Sequence, residues 1–195
     1  MNITVFGGSS PKPESREYIF AYALGKSLAA AGHTVITGGY IGTMEATSRG
    51  AAEAGGHVIG VTCEEIERWR SSGKNSWVKE ELRQTTLHER IIKLIDVCDA
   101  AIALPGGPGT LAEIVLMWNR IQIAVIPPKP ILILGEGWKK VFEVLFKEQS
   151  NYLDQKYINL LHFVDSSEEI IQFLDTYSNR NNQIKEEKEK THGRR

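Results

Sequence analysis

Residues 100–123 read AAIALPGGPGTLAEIVLMWNRIQI. Five apolar residues, Ala100 to Leu104, run into Pro105-Gly106-Gly107-Pro108-Gly109-Thr110 and then into a long apolar segment ending at about Ile123. The first run has the length of a strand buried on both faces, the proline and glycine residues break it, and the last has the length of a helix. The stretch therefore predicts one unit: strand, glycine loop, helix.

The unit recurs on both sides. Asn2 to Phe6 alternates with β-branched residues and stops at Gly7-Gly8-Ser9-Ser10-Pro11; Glu14 to Ala31 then carries Tyr18, Ala21, Leu24 and Leu28 at helical spacing. Thr34 to Thr37 leads through Gly38-Gly39-Tyr40-Ile41-Gly42 into a helix to Ala54, stopped by Gly55-Gly56, and His57 to Val61 makes a third strand. Residues 62–86, with Trp69, Ser71-Ser72-Gly73 and Trp77, interrupt the rhythm and read as a partly helical excursion over one end of the sheet. A helix from Leu87 to Cys98 precedes the quoted strand. Beyond it, Pro127, Pro128 and Pro130 enforce an extended entry to a strand Ile131 to Leu134, followed by a helix Trp138 to Lys147, a sixth strand Leu160 to Val164 and a helix Ser166 to Tyr177. Short apolar strands alternating with helices predict a doubly wound α/β domain, its parallel sheet covered by helices on both faces. The single domain spans residues 1–178, and the polar tail 179–195 is expected to be disordered.

At 195 residues one domain is the default, since domains average roughly 150 residues. Hydrophobic residues at 42% and charged residues at 24% are ordinary globular usage. The net charge of -1 divides into +3 from Arg180 onward and -4 before it, and an acidic body argues against a nucleic-acid polymer as partner. Cys63 and Cys98 have no CxxC or Cys/His pattern, so neither a disulfide framework nor a zinc site is indicated and a reducing cytoplasm fits. The amino-terminal apolar run of five residues has no basic lead, and nothing approaches 18 consecutive apolar residues, so export and a membrane span are unsupported.

In such a sheet, ligands bind beyond the carboxyl ends of the strands where strand order reverses, here between the first and fourth predicted strands. Gly7, Gly8, Gly38, Gly39, Gly42, Gly106, Gly107 and Gly109, eight of the 18 glycines, fall in three strand-to-helix loops on that edge. Backbone amides and helix amino termini there suit a phosphate or other anion, with Ser9, Ser10, Thr43 and Thr110 adding hydroxyls. The competing reading is that glycine merely permits tight turns. A conventional NAD site is disfavoured: the first loop is GGSSP rather than GxGxxG, and Thr37-Gly38-Gly39 offers no acidic residue to a ribose. No GxxxxGK[ST] occurs, and no loop lysine is available for a Schiff base.

Two side chains remain as catalytic candidates, Glu113 and Arg90. Each has a structural alternative. Thr110-x-x-Glu113 is a capping-box pattern, shared with Thr86-x-x-Glu89 and Ser166-x-x-Glu169, and Arg90 reads equally as a solvated helix charge.

Pro105-Gly106-Gly107-Pro108-Gly109-Thr110-Leu111-Ala112-Glu113 resembles the PGGxGTxxE signature of the LOG family, the cytokinin riboside 5'-monophosphate phosphoribohydrolases. Val5-Phe6-Gly7-Gly8-Ser9-Ser10 is similar to that family's opening loop and Leu87-His88-Glu89-Arg90 to its Met-His-x-Arg segment; the resemblance covers residues 2–177. It implies a Rossmann-like fold, Arg90 and Glu113 as the catalytic pair, and a nucleotide held by Gly8, Ser9, Ser10, Gly38, Gly39, Gly42, Thr43, Met44, Gly106, Gly107, Gly109 and Thr110. It further implies hydrolysis of the N-glycosidic bond of a nucleoside 5'-monophosphate, with no metal or cofactor, in a homodimer. Three positions depart from the family pattern: Ile91 stands where the family has lysine, and Thr43 and Glu45 stand in GGGxxGLMG where the family has leucine and glycine. A carboxylate at position 45 repels a phosphate unless it points away or meets a cation.

The alternative function is a non-enzymatic carrier of a nucleotide or phosphorylated cofactor, resembling molybdenum-cofactor carriers; a DNA-processing protein on a similar domain fits the acidic body poorly. The apolar circumference of Leu111 to Ile123 suggests burial against a second subunit, with cover from residues 62–86 as the other reading. Trp69 and Trp77 either roof a base or pack the excursion. His88 is expected to be structural, and the cysteines small core residues.

Overall fold

The computed structural model describes residues 1–70 and 73–192, with the side chains of Asn181, Asn182 and residues 184–192 left aside. Seven strands form one parallel sheet in the order β4-β3-β2-β1-β5-β6-β7: β1 (Asn2–Phe6), β2 (Thr34–Thr37), β3 (Val58–Cys63), β4 (Glu80–Gln84), β5 (Ala100–Ala103), β6 (Ile131–Leu134) and β7 (Leu161–Val164). The order reverses between β1 and β5, the strands expected to flank the switch. Their register sets Phe6 beside Ala103.

Side-chain alternation divides the core in two. Ile3, Val5, Ala100, Ile102, Leu132 and Leu134 face one side, and Phe6, Ala101, Ala103, Ile131 and Ile133 the other. Helices α1 (Arg16–Ala30), α2 (Thr43–Glu53) and α8 (Ser167–His192) cover the first face; α4 (Leu87–Asp96), α5 (Pro108–Gln122) and α6 (Glu136–Glu148) cover the second. Both faces being covered, the central strands β5 and β6 are apolar throughout rather than alternating. The short helices α3 (Glu64–Arg70) and α7 (Gln155–Ile158) complete the chain.

The excursion is only partly helical cover, because Glu80–Gln84 adds a seventh strand, β4, paired with β3 at the sheet edge. Its sequence, EELRQ, has the polar character of an edge strand, which the search for apolar runs misses. Ser71 and Ser72 lie outside the described residues. The last helix runs to His192 rather than stopping at Tyr177. Residues 178–192 hold neither glycine nor proline and are rich in Lys, Glu, Gln and Arg, residues of good helix propensity. The expectation for residues 193–195 lies outside the described residues. Among the described residues no helix is long and apolar enough to cross a membrane.

Candidate functional site

The glycine loops after β1, β2 and β5 meet at the switch point and are bonded to one another. The Gly8 amide donates to the Pro105 carbonyl at 3.2 Å, while the Thr43 amide and hydroxyl both donate to the Gly8 carbonyl at 3.0 and 2.9 Å. At Gly42, φ is 75° and an added Cβ would lie 2.6 Å from the Gly8 carbonyl and Ser9, so position 42 requires glycine on both counts. The Trp138 indole donates to the Leu104 carbonyl at 3.0 Å, fixing the strand end that feeds the third loop.

The first-turn amides of α5 point out of this junction. Gly107 is the N-cap residue and no side chain caps the helix, so the Gly109 and Thr110 amides lack an acceptor among the described residues; Gly106, Gly107 and Gly109 are exposed. Thr110 therefore lies within the first turn instead of capping it, and the capping-box reading of Glu113 fails. The same spacing does cap elsewhere: Thr86 and Glu89 form a complete box, and Ser166 accepts from the Glu169 amide.

Glu113, one turn further on, is 7% exposed and Arg90 5%, which removes the solvated-charge reading of Arg90. Arg90 Nη1 lies 3.5 Å from Glu113 Oε1. The guanidinium is held in place by carbonyls at the ends of β3 and β2, Nε donating to Val61 at 2.8 Å and Nη2 to Gly38 at 3.1 Å, with Met44 Sδ 3.7 Å from Nη2. A Cβ at Gly38 would lie 1.8 Å from Nη2, so the missing side chain is the space that the arginine occupies. Burial pushes the Glu113 carboxyl up to about 7, and the Arg90 charge offsets only part of that rise. Near neutral pH this carboxyl can both accept and release a proton.

The other expected site residues divide by what they do. Gly109 and Thr110 offer amides. Ser9 is partly buried, and its hydroxyl accepts from Arg70 Nη2 at 2.7 Å; Ser10 is exposed. Gly8 and Thr43 instead bind loop to loop, Gly39 donates to Thr37 Oγ1 at 3.1 Å, and Met44 packs on Arg90. These last residues shape the crevice with groups already engaged. Glu45 faces α1, where, after burial, its charge is the main cause raising the Tyr18 phenol above its ordinary value, and so it points away from Arg90. Ile91 is buried in the core, leaving no room for a family lysine's charge there.

Three residues of the site escaped the sequence reading. Tyr40 is 1% exposed, its hydroxyl bonded to both the amide and the carbonyl of Cys63, and its ring lies 5.5 Å from the Arg90 guanidinium. Asn75 ties down the second loop through Nδ2 to the Gly39 and Tyr40 carbonyls at 3.0 and 2.9 Å. Arg70 reaches Ser9. Tyr40 sits inside the quoted glycine loop; Asn75 and Arg70 carry no local signal. Trp77 packs on Arg49, its ring 5.6 Å from that guanidinium, while Trp69 is 78% exposed.

Fold and pair together define a Rossmann-like α/β protein with a buried carboxylate and guanidinium at the switch point of its sheet. The family model described as "Possible lysine decarboxylase" matches residues 44–174, and the chain belongs to this family, the LOG family. The cytokinin riboside 5'-monophosphate phosphoribohydrolase LOG of Oryza sativa is 36% identical over 136 residues, 68% of this chain and 54% of its own length. The enzyme LOG3 of Arabidopsis thaliana is 31% identical over 170 residues, 86% of this chain and 69% of its own. Against this rice relative and a second one, the chain spans 54 and 59% of their lengths. Among solved structures, the molybdenum cofactor binding protein of Rippkaea orientalis superposes with a TM-score of 0.70 at 26% identity, covering 90% of this chain and 96% of that one.

Proposed function

We propose that the protein hydrolyses the N-glycosidic bond of a nucleoside 5'-monophosphate, releasing the free base and ribose 5-phosphate. The observation that carries this reading is Glu113, buried against Arg90 and pushed up to about 7, one turn below the free amides of α5. The phosphate lies on those amides, remote from the reacting bond, so its binding energy orients the ribose. Glu113 takes a proton from the water that adds to the anomeric carbon and faces the positive charge that develops on the ribose ring. The base departs with the electron pair of the broken bond and takes up the proton that the water gave to Glu113, which returns the carboxylate to its starting state. Arg90, fixed by two carbonyls, holds Glu113 in register. Activity is read by chromatography of adenine and ribose 5-phosphate after incubation with AMP; intact AMP at stoichiometric enzyme contradicts the proposal.

A second reading, a carrier of a nucleotide or phosphorylated cofactor, is favoured by the likeness to the molybdenum cofactor binding protein. A phosphorylated pterin identified by mass spectrometry in the purified protein, together with no base release, supports the carrier.

A further inference from the structure

One cation at the crevice has no part in holding Glu113. Arg70 ends α3 and reaches back to the first glycine loop, where Nη2 donates to the Ser9 hydroxyl at 2.7 Å. Its guanidinium lies 6.0 Å from the Tyr40 ring centroid and 5.2 Å from that of Trp69, so Tyr40 neighbours both site arginines. Arg70 Nη1 is shut off from solvent and has no hydrogen-bond partner among the described residues. A desolvated N–H on a charged group is costly until an acceptor meets it. Of the acidic residues of its own helix, Glu64 pairs with Arg68 at 3.0 Å, Glu65 accepts from the Leu87 amide at 2.7 Å, and Glu67 pairs with Arg83 at 2.6 Å through Oε2, while Glu67 Oε1 has no hydrogen-bond partner among the described residues.

The bond from Nη2 to Ser9 sets the Arg70 guanidinium beside the first glycine loop. A Cβ at the adjacent Gly8 would lie 3.4 Å from Gly106 Cα, so the first and third loops abut. The glycine motifs GGSSP, GGYIG and PGGPGT contain no lysine or arginine, the one lysine of the first loop, Lys12, is exposed beyond Pro11, and Arg90 is committed to Glu113 and two carbonyls. Amides and hydroxyls alone leave a phosphate dianion without a counter-charge.

Resting on the nucleotide reading above, we propose that Arg70 is the cation that recognises the phosphomonoester of the ligand, with the Ser9 hydroxyl holding its guanidinium in place. α3 is thereby part of the binding site, and Arg70 discriminates nucleoside monophosphates from nucleosides. The test is calorimetric titration of the wild type, Arg70→Lys and Arg70→Ala with AMP and with adenosine. Arg70→Ala is expected to weaken AMP binding by about 10- to 100-fold, the range of a hydrogen bond to a charged group, and to leave adenosine binding within about twofold. Arg70→Lys recovers part of the loss, and any base release loses affinity in KM rather than kcat. Equal weakening for the two ligands, or an unchanged AMP affinity, overturns the assignment, as does a wild type that binds AMP no more tightly than adenosine. AMP that binds in an Arg70-dependent way but is never cleaved overturns the hydrolase reading and supports Arg70.

Discussion

Opposing forces poise the carboxyl of Glu113: burial favours its neutral form and the Arg90 charge its ionised form, with burial prevailing at about 7. Two predictions follow from the sign of that shift. Base release from AMP should rise with pH and level off above about 7, as the carboxylate forms, and a flat profile from pH 5 to 9 contradicts its role as base. The folded chain also keeps the proton that the unfolded chain has lost, from the ordinary value of 4.5 up to about 7. Stability from this group is therefore greatest at low pH and falls as pH rises through that window. In thermal melts the wild type should lose ground to Glu113→Gln between pH 5 and 8, by at most about 1.4 kcal/mol per pH unit; parallel curves contradict the shift. The pair itself was legible as two candidates, because the glycine signature precedes Glu113. What separated catalytic from capping was not legible: Thr86 and Ser166 cap their helices at the same spacing, and only the position of Gly107 as N-cap takes Thr110 out of that role.

Among the elements, the contact between α1 and α2 depends on two glycines inside helices. A Cβ at Gly25 would lie 2.1 Å from the Thr47 carbonyl oxygen, and one at Gly50 1.9 Å from that of Tyr22. Gly25→Ala and Gly50→Ala should each destabilise the protein by about 1–3 kcal/mol or more, whereas Gly137→Ala in α6, with open space at its Cβ, should be neutral or stabilising by about 0.5–1 kcal/mol. Equal melting temperatures for all three variants contradict the close crossing. Central strands were legible because burial on both faces demands apolar runs: Thr34–Thr37 and Ile131–Leu134 have the bounds their sequence implies. β4 was not, since an edge strand bonded on one side tolerates Glu80, Glu81 and Arg83, and its existence is settled by pairing with β3.

For the molecule as a whole, the apolar circumference of α5 is mostly accounted for within one chain. Ile114, Met117, Trp118 and Ile121 are buried, while Val115 and Ile123 are 40 and 60% exposed. We propose that this exposed strip is where a second copy packs: light scattering at micromolar concentration should give the dimer mass, and Val115→Glu should shift it towards the monomer; a monomeric wild type contradicts the proposal. The course of α8 was not legible, since its polar residues continue a helix that no apolar pattern announces. The most direct test of Glu113 is the adenine released from AMP by the wild type and by Glu113→Gln, with AMP affinity measured on both. Turnover by the wild type, a loss on the order of 10²- to 10⁴-fold in the variant and AMP binding retained by both are the predicted results. Equal turnover by the two proteins, or none by the wild type, contradicts the assignment of Glu113 and the hydrolase reading respectively.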